Sequence, residues 1–292
     1  MIFRPSPPSE PPILVRGKAF ARHVLQKVAG LTLGAVFVSD TGRSLRKRWA
    51  TRRARAEWPG LRVAIVAHAY YPDLMNEILA CQALLPVGTP VHVTVPPERS
   101  ALLREAVIGA QDVFVHEHDN RGRDIAPFLA VLGSGALDGY DAVLKLHTKR
   151  SPHLLDGEIR RKLLFDKLCG DWNATCGALS AFKQASTGIV GWRQCWRATP
   201  SYWMANEVRA REVAERMQAP ESAIRLGFFE GTMFWFRPAA LASLRELDLR
   251  PEDFEPEARQ LDGTLHHAVE RCFTIAAWSR GFTVRDLKGR VL

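Results

Sequence analysis

Lys145, His147 and Lys149 alternate along YDAVLKLHTKRS, residues 140–151, so an extended backbone turns all three to one side. Leu144, Leu146 and Thr148 then face the other way. The run from Tyr140 to Leu146 has the length of a strand, and the polar tail from His147 to Ser151 marks its exit. Open α/β sheets hold their ligands at such carboxyl ends. Cations gathered there suit an anionic ligand. A lysine in an otherwise apolar strand is expensive to bury alone, so a salt bridge from Lys145 to a core acid is the competing reading.

Three further stretches carry comparable chemistry. HAYYPD sets His68, Tyr70 and Tyr71 at the end of an apolar run. Rings with polar tips stack on a base and hydrogen-bond a ribose, or pack under a loop. HDNRGRD gathers Asn120, Arg121, Arg123 and Asp124 around Gly122, which tolerates positive φ. The two arginines suit phosphate oxygens, which they meet bidentately. Asp124 alone reads equally as the cap of the next helix. The last stretch is a pair. FEGTMFWFRPAAL places Glu230 and Gly231 ahead of an aromatic strand that contains Trp235. QLDGTLHHAVER places Asp262 near a helix start, with His266 and Glu270 four and eight residues on and therefore on one face. An acid there can serve as general base toward a hydroxyl. The plainer alternative is that Asp262 caps its helix and His266 packs.

The elements that must position these residues begin at Leu61. LRVAIVAHAYYP, PVHVTVP, QDVFVHEH and YDAVLKLHT read as strands. LMNEILACQALL, ERSALLREAVIGA and DIAPFLAVLGSGAL between them have helical spacing. Strands alternating with helices imply a mostly parallel sheet covered on both faces, with right-handed crossovers. Residues 155–187 and 203–218 read as helical, TGIVGW and GTMFWFRP as strands, and LDGTLHHAVERCFTIAAWSRG as a helix opening with Asp262.

The chain has 292 residues, 47% hydrophobic and 24% charged, which is ample for a full core. One α/β domain over residues 61–292 is expected, preceded by an arm over residues 1–60 that is partly disordered or helical. The net charge of +9 is concentrated in that arm, at Arg43, Arg46, Lys47, Arg48, Arg52, Arg53 and Arg55 among others. A basic arm bearing Trp49 and Trp58 reads as peripheral on anionic lipid, or as a solvated helix and linker. No RNA- or DNA-reading motif accompanies it, so nucleic acid is not the expected partner. The apolar stretch 20–38 is interrupted by Arg22, His23, Gln26 and Lys27 and is short for a bilayer span. MIFRPSPPSEPP has no apolar core, and a cleavable signal peptide is not expected. Cys81, Cys169, Cys176, Cys195 and Cys272 are scattered without a CxxC pair, and read as reduced thiols of a cytoplasmic protein. A zinc site is not expected.

Five blocks, VAHAYYPDLMNEIL, NRGRDIAPFL, YDAVLKLHTKRSPH, GTMFWFRPAAL and QLDGTLHHAVER, together resemble the rhamnan-synthesis protein F family over residues 61–285. Their order makes the resemblance specific; each block alone is weak. It implies a rhamnosyltransferase of bacterial surface polysaccharide and lipopolysaccharide assembly, with a GT-A-like nucleotide-sugar fold. The implied donor is dTDP-L-rhamnose, and the implied acceptor a lipid-linked glycan at the inner face of the cell membrane. Members of that fold carry an Asp-x-Asp metal motif where this chain has His147, Thr148 and Lys149. The departure points to fixed cations, Lys145, His147, Lys149 and Arg121 or Arg123, in place of a divalent metal. It leaves open a metal held elsewhere, by Asp119 or Asp124. It also leaves open a subunit that binds glycan or a partner without catalysis. The fold's late Glu-Asp pair aligns here with Leu261 and Asp262, which implies Asp262 as the base of an inverting transfer. His68, Tyr70, Asn120, Arg121, Arg123, Asp124, Lys145, His147 and Lys149 then lie on the donor side. Glu230, Trp235 and His266 lie on the acceptor side.

Overall fold

Each apolar run after Leu61 forms a strand where the pattern places it: β1 (Val63–His68), β2 (Val91–Val95), β3 (Val113–Glu117) and β4 (Ala142–His147). They alternate with helices α1 (Met75–Gln82), α2 (Ser100–Ala106) and α3 (Ile125–Gly133). The computed structural model describes residues 32, 34–36, 39, 41–42, 55–148, 150, 157–258, 260 and 262–292. Lys149, Leu261 and most of the basic arm, Trp49 included, lie outside the described residues.

The helical stretch expected over 155–187 divides into α4 (Gly157–Cys169) and α5 (Trp172–Ser180). Gly170 makes the break. A side chain there would meet the Asp166 carbonyl oxygen at 2.3 Å. Asp171 then caps α5 by accepting from the Ala174 N–H at 2.8 Å. Next come β5 (Thr187–Gly191), β6 (Trp196–Arg197), α6 (Glu207–Arg216), β7 (Phe228–Phe229), β8 (Phe234–Phe236) and α7 (Ala242–Arg245). The chain closes with α8 (Leu265–Ser279) and β9 (Thr283–Asp286).

Seven strands form one sheet in the order β3-β2-β1-β4-β8-β5-β9, and β6 pairs with β7 apart from it. In the seven-stranded sheet β8 is antiparallel to both neighbours, β4 and β5, and the remaining pairs are parallel; the separate β6/β7 pair is antiparallel. The mixed α/β fold is therefore mostly parallel. The single reversal matters for the site. With Phe234 opposite Lys145, the turn that leads into β8 is delivered to the exit end of β4.

Alternation along the strands divides the core between two faces. Ile65, Leu144, Leu146 and Trp235 face α1, α4 and α5. Val66, Val143 and Phe236 face α3 and α8, against Phe128 and Phe273.

On the first face, Cys81 of α1 and Cys169 of α4 form a disulfide, which corrects the expectation of five reduced thiols. They are 88 residues apart in sequence, and only the packing of the two helices on one sheet face brings their Cα atoms to 5.6 Å. Arg161 and Glu77 join the same helices through two hydrogen bonds of 2.9 and 3.0 Å. Residues 55–58 are seated on α5. Trp58 lies 5.5 Å from Trp172, whose Nε1–H donates to the Ala56 carbonyl, and Arg55 covers the Trp172 ring. Among the described residues no helix is long and apolar enough to cross a membrane.

Candidate functional site

The chain leaves β1 toward β2 on one side and returns to form β4 on the other. The carboxyl ends of β1 and β4 therefore bound the crevice where open sheets of this kind hold ligands. Both strands end in histidine, and His68 and His147 are register partners.

Lys145 lies one layer deeper, with 1% of its side chain exposed. Its Nζ donates to the Asp124 carboxylate at 2.6 Å and to the Thr232 carbonyl at 3.1 Å. The Phe128 and Phe273 rings approach the ammonium at 5.1 and 5.8 Å. The salt bridge to a core acid is thus the arrangement found, and Lys145 is not presented to a ligand. Its role in this geometry is to hold Asp124. The Thr232 hydroxyl donates to the same carboxylate oxygen at 2.7 Å. Burial alone would raise the Asp124 carboxyl. The neighbouring His147 and Lys145 charges and the two hydrogen bonds outweigh it and hold the group well below the usual carboxylate range.

Asp124 stands at the N-cap of α3, yet its side chain makes no capping bond. The capping alternative is corrected by a stronger competitor, the buried ammonium. His147 donates from Nε2 to the Gly231 carbonyl at 2.8 Å. The Thr94 hydroxyl donates to the Ala67 carbonyl, so His68 Nδ1 is assigned as donor to Thr94 Oγ1 at 3.0 Å, leaving the Nε2 lone pair free of that bond. Burial pushes His68 down to about 3; Asp124 opposes the shift, while His147, Lys145 and His118 reinforce it.

The turns that bring these groups together are strained. Gly122 and Arg123 precede α3 with φ of 65° and 52°, and Gly231 and Thr232 precede β8 with φ of 91° and 48°. Positive φ is costly for a β-branched residue such as Thr232, and strain of this kind collects at functional sites. Here it aims two successive carbonyls, of Gly231 and Thr232, at His147 and Lys145.

Arg121 and Arg123 turn toward the segment that precedes α8. Arg121 donates to the Phe254 carbonyl, and Arg123 to Glu257 and to the Gln260 carbonyl. Tyr70 packs edge-on against Tyr71 at 5.0 Å. Asn120 is half-buried at the same exit edge.

Asp262 is not on a helix. α8 starts at Leu265, so the expected common face of Asp262, His266 and Glu270 is corrected. A different carboxylate, Glu255, accepts from the Leu265 N–H at 2.9 Å. Asp262 instead accepts from the Ala205 N–H at 2.8 Å and from Asn206 Nδ2. Its own burial would raise it, but these bonds, the Gly263 N–H and the Arg271 charge hold it below the ordinary aspartate value. His266 and His267 pack against each other at the start of α8, and both rings meet the Thr264 hydroxyl. Both are lowered to about 4, first by burial; Arg123 acts on both rings, Asp124 on His266 and Asp262 on His267.

Trp235 is corrected from an acceptor contact to a core residue. It is fully buried, and its Nε1–H donates to the Leu168 carbonyl at 3.0 Å. Glu230 is half-exposed and pairs with Arg197 and Arg160. Among the described residues no three His, Cys, Asp or Glu side chains gather as a metal-binding group.

The protein is thus of the mixed α/β class, with a buried polar cluster at the switch point of its sheet. The particular family follows from comparison. The model of rhamnan synthesis protein F matches residues 38–282, and the chain belongs to that family. Membership ties it to rhamnan and polysaccharide synthesis. The chain is also similar to the protein described as uncharacterized protein WxcX in two Xanthomonas campestris pv. campestris strains, B100 and ATCC 33913. Each is 29% identical over 266 residues, which cover 87% of this chain and 38% of the relative. The chain thus spans well under half the length of those relatives.

Proposed function

We propose that this chain is an inverting glycosyltransferase of surface-polysaccharide synthesis, taking rhamnose from dTDP-L-rhamnose to a lipid-linked glycan. The observation that supports this most is the convergence of His68, His147 and Asp124 on the β1/β4 switch point, with Arg123 tying the turn before α3 to the segment before α8, in a member of the rhamnan synthesis family. The donor lies across the exits of β1 and β4, near His68, Tyr70 and Asn120. Asp262 is the base. It is ionised at neutral pH, half-exposed, and oriented by Ala205 and Asn206. It takes the proton of the acceptor hydroxyl while that oxygen attacks the anomeric carbon. The bond from that carbon to the diphosphate breaks, and its electron pair leaves with the nucleotide. The enzyme works in the cytoplasm, with its basic arm against the anionic inner face of the membrane.

Donor turnover tests the reading. Purified protein is incubated with nucleotide sugars including dTDP-rhamnose and a membrane lipid extract, with and without EDTA, and nucleotide diphosphate release is followed. We expect release from dTDP-rhamnose, retained in EDTA, and lost in Asp262→Asn while donor binding persists. Normal turnover by Asp262→Asn would remove it from the base role. Glycan binding without turnover of any donor would favour a non-catalytic assembly subunit.

A further inference from the structure

Lys145 is committed to Asp124, and His147 to the turn before β8. Neither supplies an open charge for a departing diphosphate. A different cation stands at the same edge. Arg99 ends the short turn Pro97–Arg99 that follows β2. Its guanidinium carbon lies 4.2 Å from the Tyr70 ring centroid and 5.7 Å from that of Tyr71. Arg150, just beyond β4, reaches the same Tyr71 ring at 4.9 Å. The tyrosine pair at the exit of β1 thus carries two guanidinium groups, one from each neighbouring strand exit. Their electrostatic states differ. Arg150 is paired with Asp73, so its charge is compensated. Arg99 is half-buried and, among the described residues, makes no ion pair and no side-chain hydrogen bond. A guanidinium stacked on a ring spends its face and keeps its N–H donors, which are the groups that meet phosphate oxygens in pairs.

We propose that Arg99, carried on Tyr70 and Tyr71, binds the diphosphate of the nucleotide donor, with Arg150 as a second cation that Asp73 restrains. The proposal rests on the transferase reading and names the residues that neutralise its leaving group. As the anomeric carbon–oxygen bond breaks, charge grows on the diphosphate oxygen, and Arg99 is the fixed positive group that meets it. The sequence gives little sign of this. VPPERS looks like an ordinary polar start to a helix, and Arg99 acquires its place only when β2 lies beside β1.

Calorimetric titration of the full chain with inorganic pyrophosphate, thymidine diphosphate and thymidine tests the clamp. Arg99→Ala is expected to weaken both phosphate ligands about tenfold and to leave thymidine unchanged, with Arg99→Lys recovering only part of the loss. Asp73→Asn releases Arg150 and is expected to tighten pyrophosphate binding about two- to fivefold. A purely structural role for the arginine–tyrosine stack would give no such gain. Thermal melts establish that each variant is folded. Wild-type affinity for pyrophosphate in Arg99→Ala, no pyrophosphate binding by the wild type, or weaker binding in Asp73→Asn would overturn the proposal. If Arg99→Ala binds pyrophosphate normally while the wild type still turns over a donor, the clamp fails and the transferase stands. If Arg99-dependent pyrophosphate binding persists but no donor turns over, the clamp stands as a diphosphate site and the transferase reading fails.

Discussion

β4 presents two different surfaces from six consecutive buried residues. Toward α1, α4 and α5 it offers Leu144 and Leu146, which pack with Ile65 and Trp235 as an unbroken apolar layer. Toward α3 and α8 it offers Val143, Lys145 and His147; Lys145 is buried as deeply as the leucines and His147 nearly so. The first surface is held by area and contact, so its requirement is shape. The second is held by pairing. Remove one member, and another is left charged or unsatisfied in the interior. A fold that needed only a core has no use for the second arrangement. Its position at the switch point is the physical argument for a ligand there.

That contrast can be broken first at the ion pair. Lys145→Met should destabilise the protein by about 3–5 kcal/mol, because the Asp124 carboxylate loses its buried partner. Asp124→Asn added to Lys145→Met should recover much of the loss, since the buried charge is then gone; chemical denaturation of the single and double variants measures the coupling. Should Lys145→Met cost nothing, the pair is not what holds this face. On the apolar side, Leu144→Ala should cost about 2–5 kcal/mol by emptying packed volume, and Leu144→Met less than about 1.5 kcal/mol. Lys145 has no equally mild replacement, and finding one would blur the distinction.

Acid should act through the buried and half-buried histidines, among them His92 of β2 and His116 of β3, which burial also lowers. His68 is lowered to about 3, and His266 and His267 to about 4. An unfolded histidine titrates near pH 6.5. Between those values the unfolded chain binds more protons than the folded one, so stability is full above about pH 6.5 and falls as pH drops toward 4. Thermal melting at pH 7 and pH 5 should show a lower transition at pH 5. His68→Asn should shrink that difference, and an unchanged pH dependence would mean that His68 is not held neutral. A backbone effect is expected at the turn before α3. Gly122→Ala forces a Cβ to within 2.7 Å of both Ala126 and Phe254 at a φ of 65°. It should cost about 1–3 kcal/mol, visible as a shifted denaturation midpoint.

Strand and helix placement was legible because its signal is local. A period of two in AVLKLH and the apolar spacing of DIAPFLAVL require nothing from elsewhere in the chain. The site was legible only as a set of exits. HAYYPD, HDNRGRD and the end of β4 do meet, yet the use each side chain is put to could not be chosen. Asp124 as cap, ligand or ion-pair acid differs only in what lies within 3 Å of it. Thr232 was missed because a threonine after a glycine has no distinctive pattern, although its hydroxyl and carbonyl both serve the cluster. Trp235 was placed with the acceptor because aromatic strands occur both in cores and in sugar sites, and burial alone separates them.

By itself the sequence determined the alternating elements, the mostly parallel sheet and the chemistry stationed at its exits, since these depend on periodicity and on residue type. Only the tertiary structure decided which charges are spent inside and which stay open. It paired Lys145 with Asp124, turned Arg121 and Arg123 toward the segment before α8, joined Cys81 to Cys169, and left Arg99 on its tyrosines. The reason is distance. Coulombic and hydrogen-bonding partners are selected within a few ångströms, across separations of 21 to 137 residues in this chain, and no local pattern encodes that choice.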